Sequence, residues 1–176
     1  IVAGNTVVAK PSPDTPMMAY LIAKLAEEVG LPKGVFNLIT GDNMEVGETL
    51  TTDERTRFIS FTGSKSVGLH ISEIAGKVQP GQKFMKRLVC ELGGKNAVIV
   101  DKDSDLEAAA TAIVQAAFGF QGQKCSACSR AIVLEEVYEE VLAKVVAKTK
   151  TLKVGDAKDN FAVTPVVNQK AVDKIM

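Results

Sequence analysis

Residues Thr6 to Ile39, TVVAKPSPDTPMMAYLIAKLAEEVGLPKGVFNLI, read as strand, helix, strand. Thr6–Ala9 is short and rich in β-branched side chains. Pro16 suits the first turn of a helix, and Leu21, Ile22, Leu25, Ala26 and Val29 follow at helical spacing until Gly30. Val35–Ile39 is the next strand. The alternation continues with a short helix from Glu45 to Leu50, a strand Arg57–Phe61, a helix opening at Ser64 and closing before Pro80, and a strand Lys86–Cys90. Strands separated by helix-length segments are joined by crossovers, so the pattern predicts an α/β fold, a parallel sheet with helices on its faces.

The pair Gly93–Gly94 breaks this periodicity and predicts a change of domain. A second α/β segment follows it. Ala97–Val100 reads as a strand, and Asp105–Phe118 as a helix with Asp103, Ser104 and Asp105 at its N-terminus. Arg130–Leu134 is a strand, and Glu136–Lys150 a helix whose acids come first and whose lysines come last, as the helix dipole favours. The expected division is residues 1–92 and 93–176, each part of a domain. The chain begins at Ile1 and stops at Met176 inside a helix-like pattern, QKAVDKIM, so it reads as a piece of something larger.

With 176 residues, 46% of them hydrophobic, the chain can bury a core of one or two domains. Its 21 basic and 21 acidic residues cancel, and they cancel in both halves, which argues against a nucleic-acid groove or a membrane-binding face. No apolar run approaches the roughly 20 residues that span a bilayer. Three cysteines cannot all pair with one another, so a reducing compartment is expected: the cytoplasm, or the mitochondrial matrix in a eukaryote.

Four places carry candidate chemistry. In FGFQGQKCSACSR, Phe118–Arg130, Cys125 lies in a small, polar, glycine-containing loop after a helix, where a thiol can be reached; an inert loop cysteine fits the loop alone equally well. FTGSKSVG, Phe61–Gly68, runs from strand through Gly63 and Ser64 into a helix, a setting for an anion, although an ordinary turn capped by Ser64 is the commoner outcome. Lys10 follows a strand and precedes the stiff segment Pro11–Pro16; it suits a ribose hydroxyl or a phosphate, or simply solvent. Glu91 ends the apolar run LVCE just before the glycine pair, where partial desolvation would let a carboxyl act as a base; a strand-end glutamate bound to nearby backbone fits this stretch about as well. Cys128 completes a C-x-x-C, but zinc would need two further ligands at suitable spacing and a dithiol pair would normally open a helix, so Cys128 reads as a small core hydrophobe. His70, the only histidine, falls within a helix and is given no role.

Taken together, ELGGK at Glu91–Lys95, GQKC at Gly122–Cys125, FTGS at Phe61–Ser64 and VVAKPS at Val7–Ser12 resemble the aldehyde dehydrogenase superfamily, in the right order and along essentially the whole chain. GGKN and QKCSACSR look most like the branch that oxidises glutamate semialdehyde, the open form of 1-pyrroline-5-carboxylate. The resemblance implies a Rossmann-like parallel sheet followed by the start of a second α/β catalytic domain. Cys125 would be the nucleophile and Glu91 the general base. Lys10 would contact the adenosine ribose, Gly63 and Ser64 the pyrophosphate, and the Leu92 backbone the nicotinamide end, with Ser126 helping to hold the substrate. The implied cofactor is NAD, with NADP as second option, because Pro13 stands where many NAD-preferring members carry a glutamate.

The implied partner is a small-molecule aldehyde, in a parent protein that is a homo-oligomer. By the same resemblance the oxyanion-hole asparagine lies before Ile1 and the nicotinamide-ribose glutamate beyond Met176, so the piece alone is expected to have little or no activity. Three other readings compete: another semialdehyde or aliphatic aldehyde dehydrogenase, a non-catalytic nucleotide-binding module, and a thiol-disulfide oxidoreductase using Cys125 and Cys128.

Overall fold

A computed structural model describes residues 1–176. The elements, in chain order, are β1 (Val7–Ala9), α1 (Pro16–Glu28), β2 (Phe36–Leu38), α2 (Glu45–Thr52), β3 (Phe58–Thr62), α3 (Lys65–Ala75), β4 (Arg87–Glu91), β5 (Asn96–Val100), α4 (Leu106–Phe118), β6 (Cys128–Val133), α5 (Glu135–Lys150) and α6 (Gln169–Ile175). The chain divides into two compact units: Ile1–Thr62 with Ser66–Cys90, and Gly63–Lys65 with Glu91–Met176. No helix is long and apolar enough to cross a membrane.

In the first unit β1 and β2 pair in parallel, Val7 opposite Phe36 and Ala9 opposite Leu38. Pro16 stands in the first turn of α1, where its missing N–H costs nothing. Gly30, at a φ of 77°, closes the helix, its N–H donating to Glu27 O at 3.0 Å and that of Leu31 to Ala26 O at 2.9 Å. The face that α1 turns inward is made of small residues, Ala19, Ala23 and Ala26, whereas Leu21, Ile22 and Leu25 stay exposed. Periodicity thus places the helix but misjudges which apolar stripe meets β2.

β3 and β4 also pair, with Arg87 N–H donating to Arg57 O at 2.9 Å and Gly63 N–H to Glu91 O at 3.0 Å, so both strands run the same way. The four strands expected to form one sheet therefore pair two by two. β1 and β2 are three residues each, and strands that short offer few ladder bonds. The α/β character and the parallel pairing stand.

The second unit holds the best-formed core. β5 and β6 pair in parallel from Ala97 opposite Arg130 to Val100 opposite Val133, with a register shift between Asn96 and Ala97. Val100, Ile113 and Val141 are buried together, with Val98, Leu106, Val133 and Val137 against them. The Asp105 carboxylate caps α4, accepting from the N–H groups of Glu107 and Ala108 at 3.0 Å. Glu107 then ties α4 to α5 through Lys148 and Lys144, and these ammonium groups hold its carboxyl below the usual range. Because Ile113 is 5% exposed, Ile113→Ala is expected to destabilise the full-length protein by about 2–5 kcal/mol, read by urea unfolding.

Candidate active site

The second unit gathers three of the motifs through short backbone links. The turn after β3 is tied to the end of β4 by Gly63 N–H donating to Glu91 O. From Glu91 the chain passes Leu92 and the glycine pair and returns as β5. There the Asn96 Nδ2 donates to the Cys125 carbonyl at 2.9 Å. Gly94 lies against the same carbonyl: a Cβ built there would stand 3.0 Å from Cys125 O and 3.2 Å from Asn96 Oδ1. Only hydrogen fits comfortably at that position. The thiol loop is therefore held from below by the segment that Glu91 opens.

Cys125 itself is exposed, in a turn that Ala127 N–H closes onto Lys124 O at 3.2 Å. The loop before it is bent sharply, with Phe120 and Gln121 both at a φ of 56°. Such conformations cost a non-glycine residue about 1–3 kcal/mol each and persist only where surroundings enforce them. Gln123 supplies part of that enforcement, its Nε2 donating to Phe120 O at 3.4 Å and its Oε1 accepting from Val167 N–H at 3.3 Å. Next to the loop, the register shift where Asn96 meets Cys128 re-aims the strand start, as bulges do beside active sites.

The remaining expected residues fall as follows. Glu91 is exposed, so the partial desolvation expected for it is not provided by this chain. Leu92 is half-buried and Ser126 exposed. Ser64 immediately precedes α3, while Gly63 has already spent its N–H on Glu91. Cys128 is half-buried rather than packed in the core, its thiol directed at Arg130 O at 3.3 Å. In the first unit, Lys10 leaves the carboxyl end of β1 and donates to Asn43 Oδ1 at 2.6 Å and to Pro11 O at 3.1 Å. His70 pairs with Glu48 on exposed helix faces, 3.2 Å apart. No three His, Cys, Asp or Glu side chains cluster as metal ligands.

Sequence reading missed Asn96, Gln123 and Asn43. Asn96 directly follows Gly93–Gly94–Lys95, where an amide with two donors is well suited to bind loop carbonyls, but nothing local names its target. The clearest hollows carry no candidate residue. One, of about 480 Å³, is lined by Gly30, Leu31, Pro32 and Phe36, and the other by Val114, Phe118, Leu152 and Val163. Cys125, Ser126 and Glu91 are exposed and lie outside both hollows, so shape alone would have pointed elsewhere.

The aldehyde dehydrogenase family model matches residues 1–176. The chain belongs to the aldehyde dehydrogenase family. The 1-pyrroline-5-carboxylate dehydrogenase of Staphylococcus saprophyticus is 55% identical over 175 residues, covering 99% of this chain and 34% of its own length. That of a Geobacillus species is 56% identical over 177 residues, covering 100% and 34%. The chain thus spans about a third of the curated relatives it matches. Among solved structures, a Thermus 1-pyrroline-5-carboxylate dehydrogenase with bound NAD superposes with a TM-score of 0.94 at 45% identity, over 98% of this chain and 33% of that one. Within this family member, the links from Gly63 to Glu91 and from Gly94 and Asn96 to Cys125 join the motifs that sequence reading singled out.

Proposed function

We propose that the protein to which this chain belongs oxidises an aldehyde to a carboxylic acid with NAD, or with NADP as second option, through a covalent adduct on Cys125. The substrate is L-glutamate 5-semialdehyde, formed from 1-pyrroline-5-carboxylate, in a reducing compartment. The observation that carries this reading is the seating of the Cys125 loop on Gly94 and Asn96, three and five residues after Glu91. Relatives more than half identical and named for this substrate support the choice of aldehyde.

The reaction needs a nucleophile, a place for negative charge and a base. The Cys125 sulfur adds to the aldehyde carbon, giving a tetrahedral thiohemiacetal whose oxyanion is stabilised by N–H donors, that of Cys125 among them. The nicotinamide cofactor, when bound, supplies the hydride acceptor that turns this adduct into a thioester. Glu91 then takes a proton from water, the hydroxide displaces sulfur, and acid and thiol are released. Exposure serves both steps, since Cys125 must meet the aldehyde and Glu91 must meet water. Ser126, exposed beside the sulfur, contacts the substrate.

The residues present suit a dinucleotide. Lys10 stands at the carboxyl end of a parallel strand, where α/β folds bind such ligands, and offers an ammonium to a ribose hydroxyl. Ser64 opens α3, where a hydroxyl and a helix N-terminus meet an anion. Gly63 contributes the turn rather than a donor, its N–H being spent. The Leu92 backbone takes the nicotinamide end.

A substrate panel on the full-length protein tests this reading. Glutamate semialdehyde is expected to exceed simple aliphatic aldehydes by about a hundredfold in kcat/KM; equal rates would remove the semialdehyde assignment. Gly94→Ala should push the Cys125 carbonyl by a few tenths of an ångström and lower kcat by on the order of tenfold, with little change in KM. Steady-state kinetics reads both parameters.

A further inference from the structure

Ala127 N–H donates to Lys124 O at 3.2 Å, so Lys124–Ala127 is a β-turn with Cys125 and Ser126 at its centre. That bond joins the ends of the turn and takes nothing from the peptide between Cys125 and Ser126. In such turns the central peptide can rotate by about 150°, exchanging the sides of its C=O and N–H while the ends stay joined. No residue of this turn has a positive φ, which sets it apart from the reversed form. The lack of a glycine disfavours reversal without aligning the peptide; its alignment comes from β5. Asn96 Nδ2 donates to the Cys125 oxygen at 2.9 Å, and Gly94 leaves room for that oxygen, since a Cβ there would approach it to 3.0 Å. Asn96 is available for this because the register shift between it and Ala97 sets it opposite Cys128, at the start of the strand that leaves the turn.

Resting on the reading that Cys125 carries the covalent adduct, we propose that Asn96 is a positioning residue for the oxidation. By drawing the Cys125 carbonyl toward β5, it turns the N–H end of the Cys125–Ser126 peptide to the uncovered side of the turn, where the oxyanion of the adduct forms. A trans peptide points its C=O and N–H in opposite directions, so holding one sets the other. Cys125 and Ser126 are exposed, whereas the side facing Gly94 and Asn96 is closed, so an aldehyde reaches the sulfur from the uncovered side. A carbonyl oxygen turned there would face the developing negative charge with its own, and an N–H turned there stabilises it. Asn96 touches neither substrate nor sulfur in this scheme and acts through the peptide alone. Its side chain is exposed, where water competes for the same bond, so losing it removes little stability. The orientation of the peptide depends on Asn96; the fold does not.

The test compares Asn96→Ala and Asn96→Asp in the full-length protein. Alanine removes the donor and should lower kcat for aldehyde oxidation about fivefold, with KM within about twofold. Aspartate keeps the shape but replaces the donor by a charged acceptor, which repels the Cys125 oxygen and draws the Ser126 N–H; it should lower kcat about fiftyfold. A residue needed only for its shape would give the opposite order, with aspartate nearly harmless and alanine the worse. Alkylation of Cys125 by iodoacetamide, a displacement that builds no oxyanion, should stay within about threefold of the unaltered rate in both variants, and their thermal melts should match. Oxidation by Asn96→Asp at or above the alanine rate, or a loss of oxidation matched by an equal loss of alkylation, would overturn the proposal. The same reagent tests its foundation. Unaltered protein alkylated at Cys125, as located by peptide mass, should no longer oxidise aldehyde; if it still does, the covalent reading is wrong and the role of Asn96 falls with it.

Discussion

Cys125→Ala in the full-length protein is expected to lower kcat/KM for aldehyde oxidation by about four orders of magnitude or more, because removing an attacking sulfur leaves no covalent route. NADH affinity should stay within about twofold, since the Cys125 side chain is exposed and the proposed cofactor contacts are made by Lys10, Ser64 and the Leu92 backbone. The contrast with Cys128→Ala is informative. Cys128 directs its thiol to the Arg130 carbonyl and lies half-buried, so its loss should cost only packing and leave oxidation within a few-fold. A protein that worked by dithiol exchange would lose activity in both variants. A protein that only bound nucleotide would show no oxidation to lose.

Glu91→Gln is expected to give a burst of NADH formation, one equivalent per site, followed by steady turnover about 100- to 1,000-fold slower than the unaltered protein. The amide keeps the shape of the side chain, and the Glu91 main-chain link to Gly63 is untouched, so acyl formation proceeds while water goes undeprotonated. An enzyme in which some other group is the base would show no burst and little slowing. Rapid-mixing absorbance separates the two phases directly.

The element order was legible because each signal was local. Pro16 and Gly30 bracket α1, Asp105 caps α4, and the β-branched runs fall in β5 and β6 within a residue or two of expectation. The facing of α1 was not legible. Both its alanines and its large apolar residues recur at helical spacing, and only contact with β2 decides that Ala19, Ala23 and Ala26 turn inward. Sheet continuity was hidden for a related reason, since strand alternation says that strands pair but not how many share a ladder.

At the candidate site, Cys125 and Glu91 stood out by residue type and local setting. What holds the loop could not be read locally. The Asn96 bond to Cys125 O spans 29 residues, the Gln123 bond to Val167 spans 44, and the left-handed turn at Phe120 and Gln121 involves residue types that give no warning of it. Lys10 was visible at a strand end, but its partner Asn43 lies 33 residues away and only parallel pairing of β1 with β2 brings the two loops together.

The most direct measurement is intact and peptide mass spectrometry of the full-length Glu91→Gln protein, quenched in acid after mixing with NAD and glutamate semialdehyde. The account requires one glutamyl group per chain, carried on the peptide that contains Cys125 and released by hydroxylamine. An acyl group on any other residue, or NADH production with Cys125 never modified, would contradict it.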